Sequence, residues 1–473
     1  MKNRIIRYIL SLIFITVFSC TDEFESTNSN PNYPESAPIT NVFGYTIETL
    51  AEQFGTTEME YPAAFVGYVT KGTYTDVINY TAEPGEGVWS GALTTIFTNI
   101  NYVLDGCEEE GNDNLKAAAL IIKTYAMQMI VDIYGKIPYF DAGKAEEGIT
   151  DPAYDDEEAI YDDLLNTLEE ANSLFANGQG GLLGNGDLLY GGEISQWQKF
   201  GNSLRLRIAI RISEVNETKA KTVINQILSD PTTYPIFESN ADNALLAFPG
   251  DDWIEPWTSR HSSIGDDYIA EPIVDTLLTL NDPRIEFYAE PLEDGSYLGL
   301  EVGTDADSDY SRVNDLFVNN PTGSVYFLKY AEVEFIKAEA FTRSFTAGDA
   351  QEAYQSGITA SCSEYDISES TIDTYLSQEK VRWNNNLDQI YIQKWIALFR
   401  QSWEAWAEMR RTDVPLLPPA SNSGYSGHNR VPFRFPYPDS EDKLNGSNIP
   451  SSVTEEDYFW GYQIWWDTRS GVQ

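Results

Sequence analysis

The stretch from Ile390 to Pro415, IYIQKWIALFRQSWEAWAEMRRTDVP, constrains the fold more than any other part of the chain. Tyr391, Trp395, Leu398, Phe399, Trp406 and Met409 recur at spacings of three and four, which sets them along one stripe of a helix, and Trp403 widens that stripe. Each such ring buries roughly 150–250 Å² and needs a wall against which to do so. The stretch is therefore expected to be one long helix, the internal strut of a large helical domain, with Trp395, Trp403 and Trp406 in the core. Arg410, Arg411 and Asp413 stand at its end, where cations complement the helix dipole, and Pro415 stops it. It carries no nucleophile, base or metal cluster and is not read as an active site.

A chain of 473 residues with 42% hydrophobic and 13% aromatic content can bury a large core. Its 74 acidic residues outnumber 30 basic ones, and the formal net charge of -44 opposes binding to nucleic-acid phosphates or anionic lipid headgroups. Nucleic acid is not an expected partner, and the acidity is read as a solvated surface. Cys20, Cys107 and Cys362 have neither metal spacing nor the density of a disulfide framework. Cys107 and Cys362 are expected as two buried thiols, with a disulfide between them as the alternative. His261 and His428 lie far apart and give no support to a zinc site or a His-based triad.

The first residues carry an address. Lys2, Arg4 and Arg7 precede an apolar run from Ile9 to Val17, and Val17-Phe18-Ser19-Cys20 closes it with a small residue before cysteine. This resembles a bacterial lipoprotein signal over residues 1–19, which implies lipidation of Cys20 and attachment to a membrane through that anchor; an ordinary secretory signal or a short membrane helix is the alternative. Thr21-Asp22-Glu23-Phe24-Glu25 resembles the acidic signal that sends some lipoproteins to the outer face of the outer membrane. Residues 20–40, rich in Asn, Ser and Pro, read as a tether, and 41–473 as a single domain. No other segment reads as a continuous apolar span.

From residue 41 the chain alternates helices with long aromatic loops. Helices are expected over Trp89–Leu104, Leu115–Tyr134, Asp155–Phe175, Ser195–Val215 and Tyr326–Phe345, the last pairing with Glu352–Thr359 as a hairpin. Arg205, Arg207 and Arg211 are expected to be buried partners for carboxylates. Residues 231–270 and 281–325, rich in Asp, Pro, Gly, Trp and Tyr, read as irregular segments with occasional short strands, and 422–473 as a tail wrapped on the body.

Several blocks, in order, resemble the SusD/RagB family of outer-membrane nutrient-binding lipoproteins: YGKIPYFDAGKAEEG at 134–148, WQKFGNSLRLRIAIRIS at 197–213, YFLKYAEVEFIKAEAF at 326–341, the strut itself, and RFPYPDSEDKLN at 434–445. The resemblance implies a mainly α, SusD-like fold of tetratricopeptide-like helical pairs with long irregular loops and few short strands. It implies capture of oligo- or polysaccharide and its delivery to a partner TonB-dependent outer-membrane transporter of the SusC type. A peptide-binding uptake lipoprotein of the RagB type is the alternative, and a glycoside hydrolase a third.

A sugar offers a flat C–H face and a rim of hydroxyls, so its site wants an aromatic platform with Asp, Asn or Arg around it. The loops supply that mixture at Tyr74, Asp76 and Trp89, at Asp252, Trp253, Trp257 and Arg260, and at Tyr288, Tyr297 and Asp309. The segment DDWIEPWTSRH at 251–261 is the foremost candidate, because two tryptophans among charges have little packing reason to be there. Catalysis is not expected, since no phosphate-binding glycine loop, G-x-S-x-G elbow or H-E-x-x-H is present. Calcium is the one cofactor to consider: Asp305, Asp307 and Asp309 open like an EF-hand loop, but Tyr310 and Leu316 replace its glycine and its bidentate glutamate.

Overall fold

The apolar stripes of the sequence become helices packed on their chain neighbours. The structure, a computed structural model, describes residues 37–73, 75, 78–80, 86–144, 148–421, 423, 427–453 and 459–472; Cys20, Tyr74 and Asp76 lie outside the described residues. Residues Ile39–Gln473 make up one unit. In chain order it runs α1 (Ile39–Glu60), β1 (Val69–Lys71), α2 (Phe97–Glu110), α3 (Asp113–Tyr134), α4 (Glu157–Asn177), α5 (Ile194–Arg211) and α6 (Glu217–Ser229). There follow β2 (Ala244–Ala247), α7 (Pro256–Ile264), β3 (Asp267–Ile269), α8 (Glu271–Leu280) and β4 (Ser324–Leu328). The chain then forms α9 (Tyr330–Thr342), α10 (Ala350–Ser363), α11 (Glu369–Ser377), α12 (Leu387–Ala397), α13 (Ser402–Thr412) and α14 (Asp439–Asn445). Helices α2 to α6 pack successively, each on the next, and α9 packs on α10 and α12. The fold is mainly α, with two small antiparallel sheets, β1–β3 and β2–β4.

α3 sits at the centre. The Asn112 side chain accepts from the Leu115 amide at 3.1 Å to cap its start, and Gly135, at φ 80°, ends it. By length and hydropathy α3 matches a membrane span, but 94% of its most apolar window is buried against neighbouring helices, which makes it a core element. Cys107 and Cys362 are free, buried thiols, and burial pushes them up to about 12 and about 11 respectively.

Trp395, Trp403 and Trp406 are buried as expected, but the strut is two helices, not one. The chain breaks between Ala397 and Ser402, where Arg400 adopts φ 72°. There Arg400 donates to Glu255 at 2.5 Å and lays its guanidinium 4.3 Å over the Trp257 ring, while Glu58 accepts from the Ser402 amide and caps α13. Those tertiary bonds replace the lost turn of helix. Likewise Tyr326–Leu328, expected as helix, belongs to β4, and α9 starts only where Asn243 accepts from the Tyr330 amide at 2.6 Å. The helix expected over Trp89–Leu104 contains a π-helical segment at Gly91–Ile96 and extends to Glu110. The tail threads over the ends of α3 and α13: the Phe435 amide donates to the Ile133 carbonyl at 2.8 Å and Arg410 to that of Phe433 at 2.7 Å.

Between α3, α5, α9, α12 and α13 lies a buried ion network. Arg207 holds Glu332 in a fork at 2.8 and 2.5 Å, and Arg211 bridges Glu404 and Glu408, each at 2.5 Å, with Asp132 at 3.5 Å. Arg411 forks onto Glu339 at 2.8 and 2.7 Å and also reaches Glu408, which Lys394 contacts at 2.9 Å. Burial opposes the charge on Glu408, but Arg411, Lys394 and Arg211 outweigh it and hold the carboxyl well below the usual range. Removing one partner leaves charge uncompensated, so Arg211→Ala is expected to cost roughly 3–5 kcal/mol in urea unfolding; a loss under about 1 kcal/mol would contradict the role given to this network.

Glu157, at the first turn of α4, behaves oppositely. Burial pushes its carboxyl up from 4.5 to about 7, against the lowering effect of the Tyr462 hydroxyl that donates to it at 3.0 Å. A folded-state value above the unfolded one means the native state holds the extra proton, so this group's contribution to stability falls as pH rises from about 4.5 through 7. Glu157→Gln should therefore gain roughly 1–3 kcal/mol at pH 8 and almost nothing at pH 4. Urea melts at the two pH values check this, and an equal change at both would contradict it.

Candidate functional site

Residues far apart in sequence meet around β3. On one side β1 pairs with it, Val69 opposite Ile269 and Lys71 opposite Asp267; on the other the Ile269 amide donates to Ser311 at 3.1 Å and the Leu300 amide to Ile269 at 3.0 Å. Asp267 anchors the arrangement from below, accepting from Lys71 and facing His261 Nδ1 at 2.8 Å. The alternation of a strand then sends Tyr268 to the opposite face.

There Arg312 stacks its guanidinium 3.6 Å from the Tyr268 ring centroid, and Tyr310 meets Tyr268 edge-on at 6.4 Å. The Tyr310 hydroxyl donates to Asp307 at 3.0 Å, and Asp266 accepts from both the amide and the hydroxyl of Thr73 at 2.7 and 2.8 Å. Gly72 makes this closeness possible: a Cβ there would stand 2.3 Å from the Tyr268 ring. Arg312, Asp307 and Thr73 are exposed, and Tyr310 and Asp266 are half-buried. The result is a shallow face of aromatic edge, planar guanidinium and carboxylates, suited to stacking on a ring and to bonding its hydroxyls.

The residues expected for this task lie elsewhere or inside. Trp257 is fully buried under Arg400, with Phe399 at 6.1 Å, and has no surface to offer a ligand. One of the charges that suggested exposure helps to seal it, Glu255 holding Arg400 over the ring, while half-buried Arg260 pairs with Glu60 at 2.8 Å. Trp89 is buried among Tyr134, Tyr154 and Tyr437, and Tyr288 stacks on Phe399 at 4.1 Å with its hydroxyl donating to the Ile396 carbonyl at 3.0 Å. These three are core, not platforms. Trp253 is half-buried against Phe248 at 4.6 Å, with exposed Asp252 beside it, and Tyr297 is half-buried on the loop that leads into the β3 face.

Asp305, Asp307 and Asp309 are exposed along the same loop. Among the described residues no group of three or more His, Cys, Asp or Glu side chains is arranged to hold a metal ion. Tyr268, Tyr310 and Arg312 were not singled out as ligand residues from the sequence; only strand pairing brings them together.

The chain is similar to several solved structures. One, a chitin-binding protein, is 26% identical, with a TM-score of 0.81 over 91% of this chain and 100% of that one. A SusD homolog from Bacteroides uniformis is also 26% identical, with a TM-score of 0.78 over 90% and 99% of the two chains. A chitin-binding SusD homolog from Flavobacterium johnsoniae, at 22% identity and a TM-score of 0.80 over 91% and 99%, shares the fold. No curated protein matches the chain. The SusD-like family model, described as starch-binding and associating with the outer membrane, matches residues 31–438, and the chain belongs to that family.

Proposed function

We propose that this chain is a cell-surface lipoprotein, anchored through Cys20, that captures oligo- or polysaccharide and passes it to a TonB-dependent outer-membrane transporter of the SusC type without chemistry of its own. The observation that carries the glycan part is the exposed guanidinium of Arg312, held flat on the buried Tyr268 ring and flanked by Tyr310, Asp266 and Asp307. Membership in the SusD-like family supports the same reading, and the 26% identical chitin-binding neighbour makes a chain of neutral pyranose units the first ligand to try. A neutral ligand also suits a protein of net charge -44, which repels acidic polysaccharides. Stacking and hydroxyl bonds are individually weak, and affinity would grow with chain length as successive units offer the same epitope.

Isothermal titration with chito- and malto-oligosaccharides tests this. Arg312→Ala and Tyr310→Ala should each weaken the binding of the better ligand about tenfold, equivalent to roughly 1.4 kcal/mol, with unchanged circular dichroism. Heat from peptides and from no glycan would favour a peptide-binding receptor and overturn the proposal. Trp257→Ala should act differently, lowering the melting temperature through a core cavity of the kind that costs roughly 3–5 kcal/mol.

A further inference from the structure

The loop at 178–193, between α4 and α5, is rich in glycine, yet side chains pin it along its length. Buried Asp187 accepts from the amides of Leu189, Tyr190 and Gly192 at 3.1, 3.0 and 2.6 Å and from the Trp197 indole at 2.8 Å. Nearer its start, Asn112 donates to the Leu182 carbonyl at 2.8 Å and Asn114 to that of Gly181 at 2.9 Å. Gly186 presses on the start of α1, where an added Cβ would stand 1.7 Å from the Thr40 carbonyl oxygen.

This backbone buries Leu183 but leaves Leu182 82% and Leu188 36% exposed. Tyr45 on α1 and Tyr102 on α2 are exposed as well. Gly106 of α2 lies against Ile39, and Gly91 of the preceding π-helical segment lies against Gln53, so the two helices run antiparallel. That register brings Tyr45 and Tyr102 to within about one turn of each other along the seam. Single exposed apolar side chains need no explanation, but a group of them around one helix start, two on a pinned loop, marks an interaction surface. Exposed Glu52, Asp105, Glu108, Glu109 and Glu110 stand on the same helices, and nearby Lys116 is already shared by Glu108 at 3.1 Å and Glu170 at 3.6 Å. An apolar centre with an anionic rim repels an anionic lipid surface and complements a protein face that is apolar at its centre and rich in Lys and Arg around it.

The place of this surface in the chain narrows the partner. With a lipid on Cys20, residues 20–36 join the anchor to the chain that enters α1. A coil of that length spans roughly 20–25 Å, which keeps the start of α1 close to the membrane. We infer that the surface carrying Tyr45, Tyr102, Leu182 and Leu188 docks onto a membrane-held protein with an apolar centre and a basic rim, which on the function proposed above is the transporter. The inference rests on the anchored-lipoprotein reading and is independent of the glycan reading of the β3 face.

Photocrosslinking of the full chain in intact cells tests it, with the photoreactive residue p-benzoylphenylalanine in place of Leu182 or, as a control, of Leu444, which is 80% exposed on α14. Both positions are solvent-facing, so neither replacement disturbs the core. The expected result is an adduct with a TonB-dependent transporter, identified by mass spectrometry, from position 182 and roughly tenfold less from position 444. Tyr45→Glu, which adds a carboxylate at the apolar centre, should cut the adduct from position 182 about tenfold, equivalent to roughly 1.4 kcal/mol of docking energy. Membrane-bound protein that gives no transporter adduct at 182, gives it equally at 444, crosslinks only to lipid, or is unaffected by Tyr45→Glu would overturn the docking surface alone. Protein recovered free of the membrane fraction would overturn the anchor reading, and this surface with it.

Discussion

The structure depends on a charge problem solved in the dark. Arg207, Arg211, Lys394 and Arg411 meet Asp132, Glu332, Glu339, Glu404 and Glu408 in the middle of a helical core, with Arg343 reaching Glu339 from its edge. Five helices contribute, and each charged group requires the others at hydrogen-bond distance. An apolar core of the same volume would tolerate small slides of one helix over another. A forked guanidinium does not, because moving it uncovers a buried charge. The pattern of helix contacts is thereby fixed around α3 and α5.

That rigidity explains why the irregular segments can be ordered. The break at Arg400 uses the position set by α12 and α13 to reach Glu255, and through Glu255 and Trp257 it fixes the start of α7. The other end of α7 carries His261 to Asp267, which seats β3 and so places the buried Tyr268 ring beneath exposed Arg312. The surface proposed to take glycan is therefore linked to the core by contacts between named side chains. Shallow faces of this sort bind long ligands through many weak contacts, and holding their rings in place beforehand lowers the entropy lost on binding.

Much of the scaffold was legible in the sequence. The spacing of Trp395, Trp403 and Trp406 marked core, the arginines of α5 found the carboxylates expected of them, and the ordered blocks pointed to the family that the comparisons show. The break in the strut was not legible, because the apolar spacing continues across it and its cause, Glu255, lies 145 residues away. The same long-range pairing misled the reading of the site. Trp257 looked exposed because charges surround it in the chain, yet one of them, Glu255, bonds across the fold to Arg400, which covers the ring. Tyr268 and Arg312 carried no signal, since neither has an unusual neighbour in sequence and only strand pairing places one on the other.

The most direct measurement is hydrogen–deuterium exchange of the protein with and without saturating chito- or malto-oligosaccharide, whichever binds. A glycan seated on the β3 face should slow exchange in the peptides covering residues 266–269 and 297–312 and leave α3, α5 and α9 unchanged. Protection confined to the helical scaffold, or absent from both loop segments while the sugar is bound, would contradict the account.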